Sequence, residues 1–287
     1  MALTTTTPAR LDPVVEHQVR RLAARVEEAD GVAPLNEEAL LHLAQTDVDH
    51  VLAVDDTVVG YGQHDPRTRT AQICADPARH DETVRAVLAA LLPAHPGTAV
   101  WLFGDRADTR RVLTGQGFSP ARTLHRMDRA LDDSPAPEPP AGVRVTTFRP
   151  GDEGALLAVN AAAFASHPEQ GALTLADLRL RMAQDWFDPG GLFIAWKGDD
   201  ALGFIWTKRH SETLGEVYVI GISPAAAGQG LGRTLLATGL SHLAAIGCRQ
   251  GMLFVEGDSA TAHGMYERSG FAVTRTDVLY HQEGDPS

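Results

Sequence analysis

Ser223-Pro224-Ala225-Ala226-Ala227-Gly228-Gln229-Gly230-Leu231-Gly232-Arg233 is the stretch that decides how this chain folds. It follows a strand-like run, residues 216–222, and opens a helix-like run, residues 235–245. Gly228, Gly230 and Gly232 leave a row of backbone N–H groups uncovered by side chains. That row stands at a helix N-terminus, where orphan donors and the positive end of the helix dipole both favour an anion. Strand, glycine turn and helix together form the pattern of a pyrophosphate cradle. A glycine turn alone does not choose the cofactor, and a dinucleotide is the first competitor. Against it, no β-α-β unit in this chain opens with G-x-G-x-x-G.

Working outward, 287 residues suffice for two ordinary domains or one large one, and 44% hydrophobic residues suffice for a real core. No apolar run reaches the length of about eighteen residues that a membrane span needs. Met1-Ala2-Leu3-Thr4 begins neither a basic nor an apolar signal region, so the expected location is the cytoplasm, away from any membrane. Cys74 and Cys248 belong to no C-x-x-C pair and are expected as buried thiols. The 12 histidines show no metal-ligand spacing, so no metal is expected. A net charge of −12 argues against a nucleic-acid surface. It mildly favours a cationic substrate, although solubility alone would explain it.

Residues 132–142 carry Pro135, Pro137, Pro139 and Pro140, which read as an extended linker. It divides a first domain, residues 1–131, from a second, residues 143–287. Residues 1–7 are expected to be disordered. The halves resemble each other. Ile73-Cys74-Ala75-Asp76-Pro77 parallels Ile220-Gly221-Ile222-Ser223-Pro224, and Gly117-Phe118 parallels Gly270-Phe271. The second half reads β-α-α-β-β-β-α-β-α-β, which gives a mixed sheet with helices on its faces. The pattern is a tandem duplication of one α/β unit.

That order resembles the GNAT superfamily of acyl-CoA-dependent N-acetyltransferases. Its cofactor motif falls on Ala227 to Gly232 and its later motif on Ser259 to Phe271, with Tyr266 inside it. The resemblance implies two tandem GNAT domains, each a mixed sheet flanked by helices. A narrower resemblance covers nearly the whole chain. Asn160-Ala161-Ala162-Ala163-Phe164, His167-Pro168-Glu169-Gln170-Gly171 and Trp186-Phe187-Asp188-Pro189-Gly190-Gly191 are similar to the mycothiol synthase family. That family implies acetyl transfer from acetyl-CoA to the cysteinyl amine of Cys-GlcN-Ins, by a monomeric enzyme without a metal.

An attacking amine must first lose its proton, so a base must stand within reach. Glu216, on the strand leading to the turn, suits that role, and the resemblance assigns it there. Without that context it reads as an exposed strand carboxylate. Tyr266 matches the family's proton donor to the departing thiolate, and it also reads as a core aromatic. A backbone N–H near residues 220–222 would meet the charge developing on the thioester oxygen. Ile220, Gly221 and Ile222 would pair with the pantetheine arm as an added strand does. Ala227, Gly228, Gln229, Gly230, Leu231, Gly232 and Arg233 would hold the pyrophosphate. Ser259, Ala260, Thr261, Ala262, His263 and Gly264 would flank the thiol end. For the sugar substrate the resemblance implies Glu37, Glu169, Lys208 and Phe254. Taken singly, Glu37 reads as a first-turn helix charge and Lys208 as a solvated strand residue.

The chain departs from the family at Ala227, Phe254 and Ser259, where Gln or Arg, Tyr and Asn are usual. In the first half Arg79-His80-Asp81-Glu82-Thr83 stands where the glycines belong, and two acids there would repel a pyrophosphate. Two other readings stay open. One is a tandem GNAT enzyme for another amine, such as an aminoglycoside, peptide or polyamine. The other is an acyl-CoA-binding module without catalysis.

Overall fold

The computed structural model describes residues 3–132, 134–165 and 170–282. The first half runs β1 (Thr4–Thr6), α1 (Pro13–Asp30), α2 (Glu37–Leu41), β2 (Asp49–Asp55), β3 (Thr57–Asp65), β4 (Thr70–Ala75), α3 (His80–Leu91), β5 (Ala99–Leu102), α4 (Ala107–Thr114) and β6 (Phe118–Ala130). The second runs β7 (Arg144–Thr147), α5 (Glu153–Ala163), α6 (Leu175–Met182), β8 (Leu192–Lys197), β9 (Asp200–Arg209), β10 (Leu214–Ile222), α7 (Leu231–Ala245), β11 (Gln250–Glu256), α8 (Ala260–Arg268) and β12 (Ala272–Gln282). Apart from single 3₁₀ turns, the two halves share one order of elements.

The compact units interleave these halves. One unit comprises Met1–His125, Glu256–Asp258 and Arg275–Ser287, and the other Arg126–Val255 and Ser259–Thr274. In the first unit the strands lie in the order β1-β2-β3-β4-β5-β12, and in the second β6-β11-β10-β9-β8-β7. Each sheet is closed by the last strand of the other half. Val278, Leu279 and Tyr280 of β12 pair antiparallel with Leu102, Trp101 and Val100 of β5. Val278 and Tyr280 are buried in one core with Phe118 and Val112, and Met127 of β6 is buried in another with Leu253 and Phe271. These apolar side chains fix where each strand goes.

Helices cover both faces of each sheet, so the central strands are apolar on both sides, as buried mixed sheets require. α1 shows how the sequence sets such a helix. Asp12 accepts from the N–H groups of Val14 and Val15, Pro13 starts the helix, and Gly31 ends it at φ 70°. Val19, Leu22, Ala23 and Val26 form its buried stripe. In the first unit α1 packs with Tyr61 and Cys74 on one face, and α3 and α4 fill the other through Val87, Leu88 and Leu113. In the second unit α5 and α6 pack against Phe204 and Trp206, and α7 and α8 against Ile205 and Leu253.

One expectation is corrected. Thr4, Thr5 and Thr6 are not disordered; they form an antiparallel edge strand against Val54, Ala53 and Leu52. Three β-branched residues favour the extended backbone, and the open edge of β2 supplies their hydrogen bonds.

Candidate active site

The site begins where β10 and β11 separate. They pair in parallel from Leu214↔Gln250 to Val217↔Leu253. β10 then carries one extra residue. Val217 pairs with Thr207 of β9 and Val219 with Trp206, so Tyr218 is the bulge between them. Beyond it β10 stays paired with β9 through Ile222↔Gly203. The N–H of Ser223 donates to the Leu202 carbonyl at 2.8 Å. Backbone groups alternate sides along a strand, so Ser223 and Gly221 face β9. The N–H and C=O groups of Ile220 and Ile222 therefore face the opened side. Gly221 is confined there, since a Cβ would stand 2.7 Å from Phe204.

The glycine turn follows. Gly228 and Gly230 adopt φ 77° and 80°, and a Cβ on either would meet nothing within 4 Å. Backbone conformation, rather than crowding, is what calls for glycine. Residues 227–230 and Arg233 are exposed, whereas Leu231 is buried at 2% exposure and pins the helix start to the core. Gly230 is the N-cap of α7, and no side chain caps the helix. The first-turn N–H groups of α7 thus point out of an uncapped helix end, which suits a diphosphate. Ser259 occupies the matching N-cap of α8, also without a side-chain cap bond, and Ala260, Thr261, Ala262, His263 and Gly264 form the first turns of that helix. Met265 of α8 and Ile222 of β10 both border Gly232, so the start of α7 lies against the middle of α8.

Glu216 is only 6% exposed, not an open strand carboxylate. Its Oε2 lies 2.6 Å from His210 Nε2. Across the sheet it pairs with Lys208 of β9 and Met252 of β11. Lys208 Nζ sits 4.5 Å from the Trp186 ring centre and 5.6 Å from that of Tyr218. Trp186, Phe187, Trp206 and Tyr218 contact one another ring to ring, and Arg181 Nε donates to the Tyr218 hydroxyl at 3.1 Å. Lys208 is therefore held over aromatic faces rather than solvated. Sequence reading missed His210 and this aromatic wall. The signal available was period two: Trp206, Lys208 and His210 share one side of β9 and its extension.

Tyr266 is buried at 6% exposure, edge-on to Phe271. Burial pushes its hydroxyl up to about 12, so it stays protonated at neutral pH. Cys74 and Cys248 are buried too. Burial raises both thiols, which makes them poor nucleophiles.

The residues expected at the substrate divide between units. Lys208 and Phe254 belong to the second; Phe254 is 36% exposed on β11. Glu37 belongs to the first, in the first turn of α2, which Asn36 caps. Glu169 and His167 lie outside the described residues, and residues on either side of them contact each other. Asn160, 1% exposed, donates to the Gln170 carbonyl at 2.7 Å and accepts from the Gln170 amide at 2.9 Å. A Cβ at Gly171 would collide with the Phe164 carbonyl. Asn160, Gln170 and Gly171 thus tie residue 170 and the end of α5 together.

The histidines show no metal spacing along the sequence, yet the fold brings three candidate ligands together in the first unit. Asp49, His64 and His95 each place one ligand atom within 4.8 Å of the others. They come from β2, β3 and the segment after α3, so local spacing could not reveal them. Both rings approach Asp49 Oδ2, at 3.0 Å and 3.5 Å, and they stack on each other at 4.0 Å. His64 hydrogen-bonds that oxygen, and His95 approaches it at ion-pair distance while stacking on His64.

Comparison with known proteins gives the family and the fold. The acetyltransferase (GNAT) family model matches residues 161–271. The chain is 44% identical to a mycothiol acetyltransferase of Thermomonospora curvata, with 94% of each chain covered. It is 41% identical to one of Mycobacteroides abscessus, covering 94% of this chain and 97% of that one. A tandem GNAT protein from the clavulanic acid biosynthesis pathway superposes with a TM-score of 0.73 at 17% identity, over 99% of both chains. A GCN5-related N-acetyltransferase from Sphaerobacter thermophilus does so with a TM-score of 0.67 at 24% identity, over 99% of this chain and 96% of that one. At those identities the superpositions speak for the fold, and the curated relatives speak for the family. The chain belongs to the mycothiol acetyltransferases, on a tandem GNAT fold.

Proposed function

We propose that this protein transfers the acetyl group of acetyl-CoA to the cysteinyl amine of Cys-GlcN-Ins, giving mycothiol. The observation that carries this reading is the opened edge of β10, running from the buried Glu216 to the uncapped start of α7. The free backbone groups of Ile220 and Ile222 suit the amides of a pantetheine arm laid down as an added strand. The N–H groups of residues 228–233 suit its diphosphate. Glu216 takes the proton of the substrate ammonium, and the freed amine attacks the thioester carbon. Backbone N–H groups at the end of β10 meet the charge that develops on the thioester oxygen. As the C–S bond breaks, Tyr266 gives its proton to the leaving thiolate, a role that its raised pKa keeps available. Lys208, Phe254, Glu169 and Glu37 form the substrate's surroundings in this reading.

Residues 143–287 supply the catalytic domain, and residues 1–131 a copy that has lost the cradle. The protein acts as a monomer in the cytoplasm and needs no metal. Among the described residues no helix is long and apolar enough to cross a membrane. The test is release of CoA thiol by purified protein given acetyl-CoA and Cys-GlcN-Ins, beside an aminoglycoside, a peptide amine and a polyamine. Preferred turnover of Cys-GlcN-Ins is the expected result. Turnover of another amine alone would reassign the substrate, and binding without any turnover would leave an acyl-CoA-binding module.

A further inference from the structure

We infer that His210 is a positioning residue of the acetyl-transfer site, holding the Glu216 carboxylate and carrying its proton out to solvent. The inference rests on Glu216 being the base. It starts from a difference in exposure: the Glu216 side chain is 8% exposed and the His210 side chain 31%, yet their atoms are 2.6 Å apart. A buried base that takes a proton in every turnover must return it to water. The imidazole is the group in contact with it that also reaches solvent.

The hairpin between β9 and β10 is fastened so as to hold that ring. The His210 N–H donates to the Leu214 carbonyl at 2.9 Å. Ser211 Oγ accepts from the N–H groups of Thr213 and Leu214. Arg209 donates to the carbonyls of Ser211 and Glu212, which turns its charge toward the loop. Lys208 stands opposite Glu216 on β9, and Met252 opposite it on β11. Lys208 is a poor outlet, because a protonated ammonium has no lone pair to accept with.

The step balances with one proton. Glu216 removes it from the substrate ammonium and becomes a carboxylic acid. At rest the Nε2–H of the neutral ring donates to the carboxylate; once Glu216 holds the proton, the ring exchanges through solvent to its Nδ1–H tautomer and accepts that proton at Nε2. The imidazolium then loses its Nδ1 proton to water, which restores both the carboxylate and the Nε2–H that holds it.

The test uses the full-length protein with acetyl-CoA and the acceptor amine. His210→Ala is expected to lower kcat about 10- to 100-fold, less than the roughly 10²- to 10⁴-fold of losing the base itself, with the KM for acetyl-CoA unchanged. Added imidazole should restore much of that loss. His210→Gln keeps a hydrogen-bond donor but cannot titrate. It should remain folded, by unchanged melting, while the pH profile of kcat departs from that of wild type. Wild-type kcat and pH profile in both variants would overturn the inference. So would a loss in His210→Ala that His210→Gln fully repairs without altering the profile, since that describes a scaffold only. If Glu216→Gln itself keeps wild-type turnover, the base assignment falls instead.

Discussion

The chain builds the same strand-to-helix junction twice and uses it in two ways. In the first unit β4 runs into α3, and in the second β10 runs into α7. The backbones agree in detail. Gly60 pairs with Ala75 as Gly203 pairs with Ile222. The N–H of Asp76 donates to Val59 at 2.8 Å, as that of Ser223 does to Leu202. β4 and β5 pair only from Thr70↔Ala99 to Gln72↔Trp101 and then part, as β10 and β11 do. The opening in the first unit borders a cavity lined by Ile73, Ala75, Trp101, Phe103 and Arg106.

The difference lies in the next few residues. Counting on from the Ile73–Ile220 match, Asp81 stands for Gly228, Glu82 for Gln229 and Thr83 for Gly230. Where the second unit has a glycine loop, the first has an extra helical turn, since α3 begins at His80. Arg79 reaches both Asp55 and Glu82, and Arg111 meets Asp81 at 2.7 Å. The positive end of α3 is answered by its own carboxylates. The end of α7 is left for a ligand. The chemical groups diverge as well. Across the Tyr218 bulge, which β4 lacks, Thr70 stands for Glu216, since Asp65 pairs with Thr70 as Lys208 pairs with Glu216; counting back from the Gly117–Gly270 match, Leu113 stands for Tyr266. A duplicated fold therefore keeps its sheet while one copy lacks the glycines, the glutamate and the tyrosine that the proposed function uses.

The largest test of this contrast is Glu216→Gln. Removing the base should lower turnover about 10²- to 10⁴-fold near neutral pH, with acetyl-CoA affinity intact by calorimetry. Thr70→Val at the matching position should leave turnover unchanged. Equal losses from both would mean that the first unit also performs chemistry.

A second test addresses what the junctions share. A Cβ at Gly60 would collide with Thr83 of α3, and one at Gly203 would lie 3.0 Å from Leu235 of α7. Overpacking at such contacts costs about 1–3 kcal/mol. Gly60→Ala should cost more than Gly203→Ala, because branched Thr83 has few rotamers to retreat to. Urea unfolding of each variant would decide it, and a neutral Gly60→Ala would show that the junctions are not packed alike.

Much of this was legible in the sequence, and the reasons are local. The order of elements followed from hydrophobic periodicity and from the repeated Gly-Phe. The glycine turn was legible because only positive φ explains Gly228 and Gly230. Glu216 was placed on its strand, but its burial and its contact with His210 were not, because both depend on how the β9–β10 hairpin closes. The exchange of β6 and β12 was hidden for a similar reason. Apolar strands such as these fit either sheet, and only packing against Phe118 or Phe271 assigns them. Asp49, His64 and His95 share no local pattern at all.

A third and smaller effect is expected at Gly230. Alanine there meets no neighbour, but holding φ 80° costs a residue with a Cβ about 1–2 kcal/mol. If the cost falls on the cradle, acetyl-CoA should bind about tenfold more weakly, since about 1.4 kcal/mol is one decade. Calorimetric titration of Gly230→Ala measures this directly. An unchanged Kd would show that the turn is not part of the binding surface, and Thr83→Ala at the matching position should leave the Kd alone.

The smallest effect concerns the carboxylates that close the first junction. Hydrogen bonds from Arg111, and then from His80, hold the Asp81 carboxyl below its usual range. A lowered folded-state pKa adds stability above the unfolded value, and that stability is lost as pH falls through the folded one. Asp81→Asn should therefore destabilise the protein at pH 7, and the difference from wild type should vanish as both are taken through the carboxylate range. A charge in the first helical turn contributes about 0.3–1 kcal/mol. The Asp81 side chain is 42% exposed, so the lower end applies. Thermal melts of both proteins at neutral and acidic pH would measure it. A deficit persisting in acid would mean that Asp81 acts by packing. The contrast between a helix end that neutralises itself and one that waits for an anion would then need another basis.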